Sequence, residues 1–449
     1  MMTSTLKNKI KRNTGRSGSF LFRVLLLAGF LSANLQASPA QSKWDQWEYR
    51  IPVVLTERDS ETAGALPVDV TFAVFADEID DPHRELRLVR KTDGELQEVP
   101  FQLWNVSTRN KDTDGERSMP TLTGTVTFFD EAGGGNDSEY LLLYGNPEAE
   151  PPSYPTDLSV SGEAPELVIE NGRMTVTLHS SGQLASVRSS GSEQLIDSPP
   201  GVMHWNPGIF IPTRYWTHSW DWDPAEVVEV ESGPVFVKLR RSGPLPGFPE
   251  MRLSITYRIF ADRPYVESAT RMELNEDLGV VALRNDQLVF NSGLFSSFAW
   301  QQHDGGVVTR HFDEHEPVND HGDLLRIRPD AGFIAFFDED QGIGAATVRL
   351  DAMNEGPDAT PPVLFDHATY ITDSTDLTYW FRPLVYFHVD WTREKLISVP
   401  EGSVYSERNL YLFFTPEDGN PVAPVRHYRR AADNPPLINL GVYELPPVY

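Results

Sequence analysis

The 449 residues contain no cysteine. That excludes disulfides, thiolate nucleophiles and cysteine-ligated metals together. A chain of this length buries a core large enough to stand without covalent cross-links. Positive charge is scarce as well. The chain has 38 Lys and Arg against 65 Asp and Glu, a formal charge of −27, and this acidity opposes nucleic acid and anionic membrane surfaces as partners. No G-x-S-x-G, Walker, H-E-x-x-H or dinucleotide fingerprint appears in the strand–helix context that each requires. Helical periodicity is missing until "PVAPVRHYRRAADNP" near the C-terminus, which predicts one short helix.

Residues 1–37 read as a targeting segment. Lys7, Lys9, Lys11, Arg12, Arg16 and Arg23 form a basic stretch ahead of the apolar "VLLLAGFLSA", and "LQA" offers cleavage after Ala37. The apolar run is too short to remain as a membrane span. Removing those six basic groups takes the formal charge from −27 to −33. The expectation is a periplasmic or secreted protein with no membrane association after cleavage.

Beyond residue 40 the pattern is β-rich. "PVDVTFAVF", "LTGTVTFF" and "YLLLYGN" alternate or run apolar for strand lengths, punctuated by "KTDGE" and "EAGGGNDSE". The proline-rich "PEAEPPSYPTD" (residues 147–157) closes this block. A second block opens with strand, "NG" turn, strand, "SSG" turn, strand, and continues into long hairpins such as "SITYRIFADRPYVESATRMEL". The expectation is an all-β chain: an N-terminal β-sandwich over residues 38–150, then a large antiparallel β-supersandwich over residues 158–449 with a C-terminal extension. So many long strands must pack sheet on sheet.

The stretch "NGRMTVTLHSSGQLASV", followed by "VEVESGPVFVKLRRSG…MRLSITYRIFADRPYVESATRMEL", resembles the galactose-mutarotase-like β-supersandwich, and more narrowly that of certain polysaccharide lyases. The block "WEYRIPVVLTE…LPVDVTFAVF…RELRLVRKTDGELQEVPFQLW" is similar to the β-domain that precedes it in exo-rhamnogalacturonan-lyase-like proteins. The resemblance covers most of residues 45–415. It departs in one respect: many supersandwich lyases carry an α/α-toroid domain, for which this chain has no room. The resemblance implies a carbohydrate lyase whose cleft is built from the supersandwich face and its loops.

Four of the ten tryptophans fall within "HWNPGIFIPTRYWTHSWDWD", residues 204–223. Trp205, Trp216, Trp220 and Trp222 suit sugar-ring platforms, since tryptophan matches an apolar face and keeps a polar edge; rings that plug a sheet edge are the alternative. Elimination from a uronate needs a base near the C5 proton, an acid for the leaving oxygen and a cation on the carboxylate. His218, His204 and Tyr215 suit the proton transfers, and Arg214 suits the carboxylate. If the segment is extended, Arg214, Trp216 and His218 share one side. A second dense stretch, "YWFRPLVYFHVDWTREK", offers Arg382, Tyr386 and His388 on one strand face as a cleft wall, or as a water-facing sheet surface. Arg284 and Asn285 of "LRNDQLVFN" are further candidate substrate ligands, with a surface turn as the alternative.

Elimination of this kind requires no cofactor. A divalent metal stays open: His303, His311, His315 and His321 lie in one acidic stretch, where His311 and His315 have zinc-compatible spacing and Asp304, Asp313 or Asp320 suit calcium. The reading is an exported lyase acting on an acidic polysaccharide or oligosaccharide such as ulvan, alginate or pectin. The alternatives are a uronate-oligosaccharide dehydratase, a mutarotase- or epimerase-like enzyme, and a non-catalytic glycan-binding protein.

Overall fold

The structure, a computed structural model, describes residues 43–56, 59–109, 119–131, 137–189, 203–204, 208–211, 214–314, 323–328, 331–364, 369–373, 377–386 and 396–441. Residues 1–37, read above as a signal, lie outside this set, as do Trp205, His315, Asp320, His321 and His388. Trp44–Tyr449 form one unit.

Strand alternation builds the first layer pair. In Val68–Phe75, Val68, Val70, Phe72 and Val74 point inward, while Thr71, Ala73 and Phe75 face solvent and Asp69 is half-buried. A three-stranded sheet (Val68–Phe75, Thr121–Phe128, Gln102–Arg109) packs on a five-stranded one. The five-stranded sheet contains Tyr49–Thr56, Ser138–Tyr144, Arg87–Thr92 and Glu95–Glu98. Its outer edge is Leu437–Leu440, which pairs antiparallel with Tyr49–Thr56 (Val53 opposite Leu440). The C-terminal extension therefore returns to the first sandwich, a pairing with no signal in local sequence. Just before it, Ala423–Asp433 forms the expected helix, with Pro424 in its first turn, where the missing N–H costs nothing.

The second layer pair is larger. A nine-stranded sheet runs Val227–Ser232, Phe236–Leu245, Phe248–Phe260, Tyr265–Leu274, Val404–Phe414, Ile343–Glu355, Phe333–Asp338, Ser297–Gln301, Val307–His311. A seven-stranded sheet runs Arg214–His218, Gly208–Ile211, Ala282–Asn291, Leu377–Tyr386, Thr369–Asp373, Asp323–Ile327, with Met203–His204 paired to Ala282–Asn291. One apolar core joins them: Leu253, Ile255, Tyr257, Phe336 and Tyr411 come from the nine-stranded sheet and Leu283, Leu288, Phe290 and Trp380 from the seven-stranded sheet. The all-β expectation and its antiparallel sheets are observed.

Between the two large sheets lies a buried charged network. Arg382 pairs with Asp286 at 2.9 Å and with Glu407, and Thr347 donates to Asp286 at 2.9 Å. Burial pushes the Asp286 carboxyl above the usual range, with Arg382 opposing, and burial lowers the Arg382 guanidinium to about 10. Arg382 thus ties the sheets together instead of lining a cleft, which corrects the expectation for that residue. The reason is a broken period. Pairing between Ala282–Asn291 and Leu377–Tyr386 slips at Arg284 and again between Asn285 and Leu288, where Asp286 adopts φ 47°. Bulges of this kind re-aim side chains, so Leu384 and Val385 both enter the core.

Candidate functional site

The segments singled out in the sequence are neighbours in one sheet. Arg214–His218, Gly208–Ile211, Ala282–Asn291 and Leu377–Tyr386 follow one another across the seven-stranded sheet. Gly208 stands opposite His218 on one side and Arg284 on the other, and Arg284 stands opposite Pro383. Directly paired residues share a face, so His218 and Arg284 flank a residue without a side chain. Two strand spacings put their backbones about 10 Å apart. The adjacent row in the register is Phe210, Ala282 and Tyr386. Two small residues, Gly208 and Ala282, therefore occupy neighbouring positions in these two register rows.

Each described group has its support. The His218 N–H donates to Asp221 Oδ2 at 2.8 Å, and His218 Nδ1 lies 3.7 Å from the same oxygen, an ion-pair separation. Burial raises the Asp221 carboxyl, but the hydrogen bonds and charge of His218 outweigh it, so Asp221 stays below the ordinary range and ionised. An ionised carboxylate at Nδ1 leaves Nε2 as the proton-accepting atom. Arg284 lies 3.8 Å over the Phe381 ring, which stacks on Tyr370 at 5.3 Å and 13°. Stacking fixes the plane of the guanidinium and keeps its bidentate fork preorganised.

Trp220 is a half-buried ring whose partner sequence reasoning missed. It stacks on His179 at 4.0 Å and 16°. His179 Nδ1 accepts from the Ser181 N–H at 3.2 Å and meets Ser181 Oγ at 3.1 Å, so its proton belongs on Nε2 in the neutral form. Burial lowers His179 from its ordinary value, leaving it neutral at pH 7. His179 sits in the "LHSSG" turn after Met174–Leu178, and only stacking across the fold links it to the aromatic stretch.

Other expectations are corrected. Trp222 is a core residue: it is buried, its indole N–H donates to Pro244 O at 2.8 Å and Arg241 caps its ring. Asn285 is buried and donates to Thr270 Oγ1 at 2.9 Å, bridging the two sheets instead of facing a ligand or a surface turn. Arg214 pairs with Ile211 and Thr217 with Ile209, so the intervening Tyr215 and Trp216 form a bulge opposite Phe210. That slip puts Arg214 out of register with His218 along the strand. His204 pairs with Leu288, a core position, away from the His218–Arg284 row. Among the described residues no three His, Asp or Glu side chains converge as metal ligands. His303 is exposed near a turn, Asp304 accepts from Gly306 N–H, His311 meets Ser297 Oγ at 3.0 Å, and Asp313 lies in a 3-10 turn.

No protein-family model matches the chain, and no curated protein matches it. Solved structures do. An α-mannosidase from Enterococcus faecalis V583 superposes with a TM-score of 0.53 at 10% identity, covering 88% of this chain and 46% of that one. A protein in glycosyl hydrolase family 38 from Enterococcus faecalis gives 0.49 at 12% identity, covering 88% and 47%. A galactose mutarotase related enzyme from Lactobacillus acidophilus gives 0.34 at 9% identity, covering 56% and 98%. The chain spans about half the length of the first two. The α-mannosidase likeness is one of fold: this chain has the all-β supersandwich architecture found in a sugar-processing enzyme.

Proposed function

We propose that the protein is an exported carbohydrate-active enzyme that eliminates across C4 and C5 of a uronate unit in an acidic polysaccharide or oligosaccharide. The observation carrying this reading is the His218–Gly208–Arg284 row, with Tyr386 in the next row of the register. Arg284 would neutralise the uronate carboxylate and so acidify the C5 proton. His218 Nε2 would accept that proton while Asp221 stabilises the resulting imidazolium. The C5–H electrons form the C4=C5 bond, the C4–O4 bond breaks, and the Tyr386 hydroxyl donates its proton to O4. If O4 carries the next sugar, the chain is cut; if it is a free hydroxyl, water leaves and the enzyme is a dehydratase. Gly208 and Ala282 provide the space for the pyranose. No step calls for a metal or cofactor.

The resemblance to supersandwich lyases and the sugar-processing enzymes that share this fold support the carbohydrate class. The test is to incubate the mature protein with ulvan, alginate and pectin-derived polymers and oligomers and follow the ultraviolet absorbance of the 4,5-unsaturated uronate. A rise on one substrate is expected, and product masses separate chain cleavage from loss of water. A flat trace from folded protein across the panel sinks the elimination reading.

A further inference from the structure

Arg241 takes no part in the chemistry above, yet it grips two turns that lead to His218. It lies in the strand Phe236–Leu245 and is fully buried. Burial lowers its guanidinium to about 10, with the Tyr257 phenol opposing. Among the described residues no carboxylate pairs with it. A buried cation without a counter-ion is costly to hold. Its donors go to neutral oxygens instead: Ser181 O at 2.7 Å and Gln183 Oε1 at 2.7 Å. The Tyr257 hydroxyl donates to the same Gln183 oxygen at 2.9 Å.

The first turn runs from His179 to Gln183. Gly182 has φ 75°, and an added Cβ would lie 2.4 Å from Arg241 Cδ. Only glycine lets the arginine stem pack so close beneath the turn. The second turn is the 3-10 segment Ser219–Asp221, followed by Trp222. The Arg241 guanidinium lies 5.4 Å from the centre of the Trp222 ring, within cation–π range. The indole N–H of Trp222 is tied to Pro244 O, on the same strand as Arg241. The two turns then close on each other through the stack of His179 on Trp220 at 4.0 Å.

Asp221 sits between these two anchored rings, Trp220 and Trp222. A three-residue 3-10 turn makes too few hydrogen bonds of its own to fix its shape. Its anchors therefore set where Asp221 Oδ2 lies, 2.8 Å from the His218 backbone nitrogen and 3.7 Å from Nδ1. That carboxylate in turn selects which ring nitrogen of His218 carries the proton. We infer that Arg241 is a positioning residue: by clamping both turns it holds Asp221 at His218 Nδ1, which keeps the proton there and the accepting lone pair on Nε2. The inference rests on the reading of His218 as the base, but its first test needs no turnover.

The experiment follows the His218 ring nitrogens by NMR of protein carrying isotopically labelled histidine, at about pH 8, where imidazole is neutral. His218→Asn identifies the His218 signals. Wild type should show the tautomer protonated at Nδ1. In Arg241→Met, which removes the guanidinium fork and keeps apolar bulk, those signals should move towards the tautomer mixture of a histidine in water. Arg241→Lys keeps a charge and a donor but loses the planar fork, and should fall between the two. Should Arg241→Met fail to fold, Trp222→Leu, which removes the ring against the guanidinium, carries the same prediction. On a uronate substrate that wild type turns over, Arg241→Met should lose about 10²-fold in kcat, the effect of a slightly misplaced catalytic group, with KM little changed. A residue that only stabilised the fold would lower the unfolding temperature and leave the tautomer of still-folded protein as it was. Folded Arg241→Met or Trp222→Leu that keeps the wild-type Nδ1–H tautomer would overturn the inference. A tautomer change in the variants without turnover by wild type would support the clamp and sink the uronate reading alone.

Discussion

In the proposed reaction, His218 is the residue on which the chemistry turns. Asp221 accepts from its backbone N–H at 2.8 Å and lies 3.7 Å from its ring Nδ1. Replacing it by asparagine keeps a polar side chain at the edge of the site and removes the base. His218→Asn should lower kcat by about 10²- to 10⁴-fold, the usual contribution of a general base, with a much smaller change in KM; steady-state kinetics on the best uronate substrate measures this. Residue type alone made His218, Arg284 and Tyr386 visible in the sequence. It also promoted Trp222, Asn285 and Arg382, which the fold uses internally. Each of these three is polar or amphipathic and finds its partner in the interior: Pro244 O, Thr270 Oγ1, and the pair Asp286 and Glu407. Sequence cannot separate a buried polar group with a partner from one facing a ligand, because the partner is far away in the chain.

At the scale of strands, register decides the site. The strands themselves were legible, since alternation and turn residues mark them. Their slips were not: the Tyr215–Trp216 bulge and the Asp286 bulge each displace the side-chain pattern without a local signature. The same bulges account for the row that remains, with Gly208 between His218 and Arg284. Gly208→Val should fill that space while suiting a strand, since valine is a good strand former. We expect a KM at least tenfold higher, or no turnover, in a protein whose far-ultraviolet circular dichroism is unchanged. The inter-sheet network tests the packing separately. Arg382→Met removes the cation between Asp286 and Glu407 and leaves two buried carboxyl groups without it. Breaking a buried pair from one side costs about 3–5 kcal/mol, which denaturant unfolding will register as a lower midpoint.

Across the whole molecule, the small sandwich is fixed to the supersandwich by a second buried charge cluster. Arg258 forks onto Asp69 at 3.0 and 2.9 Å and onto Glu267 at 2.9 and 2.8 Å, under the Trp104 ring. Gln102 Oε1 accepts from the Phe236 N–H at 2.9 Å, and the Tyr265 hydroxyl donates to Ala65 O at 3.1 Å. Burial raises the Asp69 carboxyl, yet the charge and hydrogen bonds of Arg258 more than compensate, so its folded value lies below the ordinary one. A depressed carboxylate stabilises the fold above its unfolded value of about 3.9 and loses that contribution as pH falls through the lower folded value. Asp69→Asn should therefore be less stable than wild type at pH 6, and the gap should close as pH falls below about 4. Thermal unfolding of both proteins across that range checks it. Alternation and turn residues marked strands on both sides of residues 147–157, but this contact and the return of Leu437–Leu440 to the first sheet join residues far apart in the chain, which no local pattern records.

The central claim is that the His218–Arg284 row removes a proton from a uronate and drives elimination. Its most direct test is the ultraviolet absorbance of unsaturated uronate formed by wild-type protein and by His218→Asn on the same substrate panel. The account predicts a substrate-specific rise with wild type that is all but lost in the variant. Full activity in the variant, or no rise with any uronate substrate from folded wild-type protein, would contradict it.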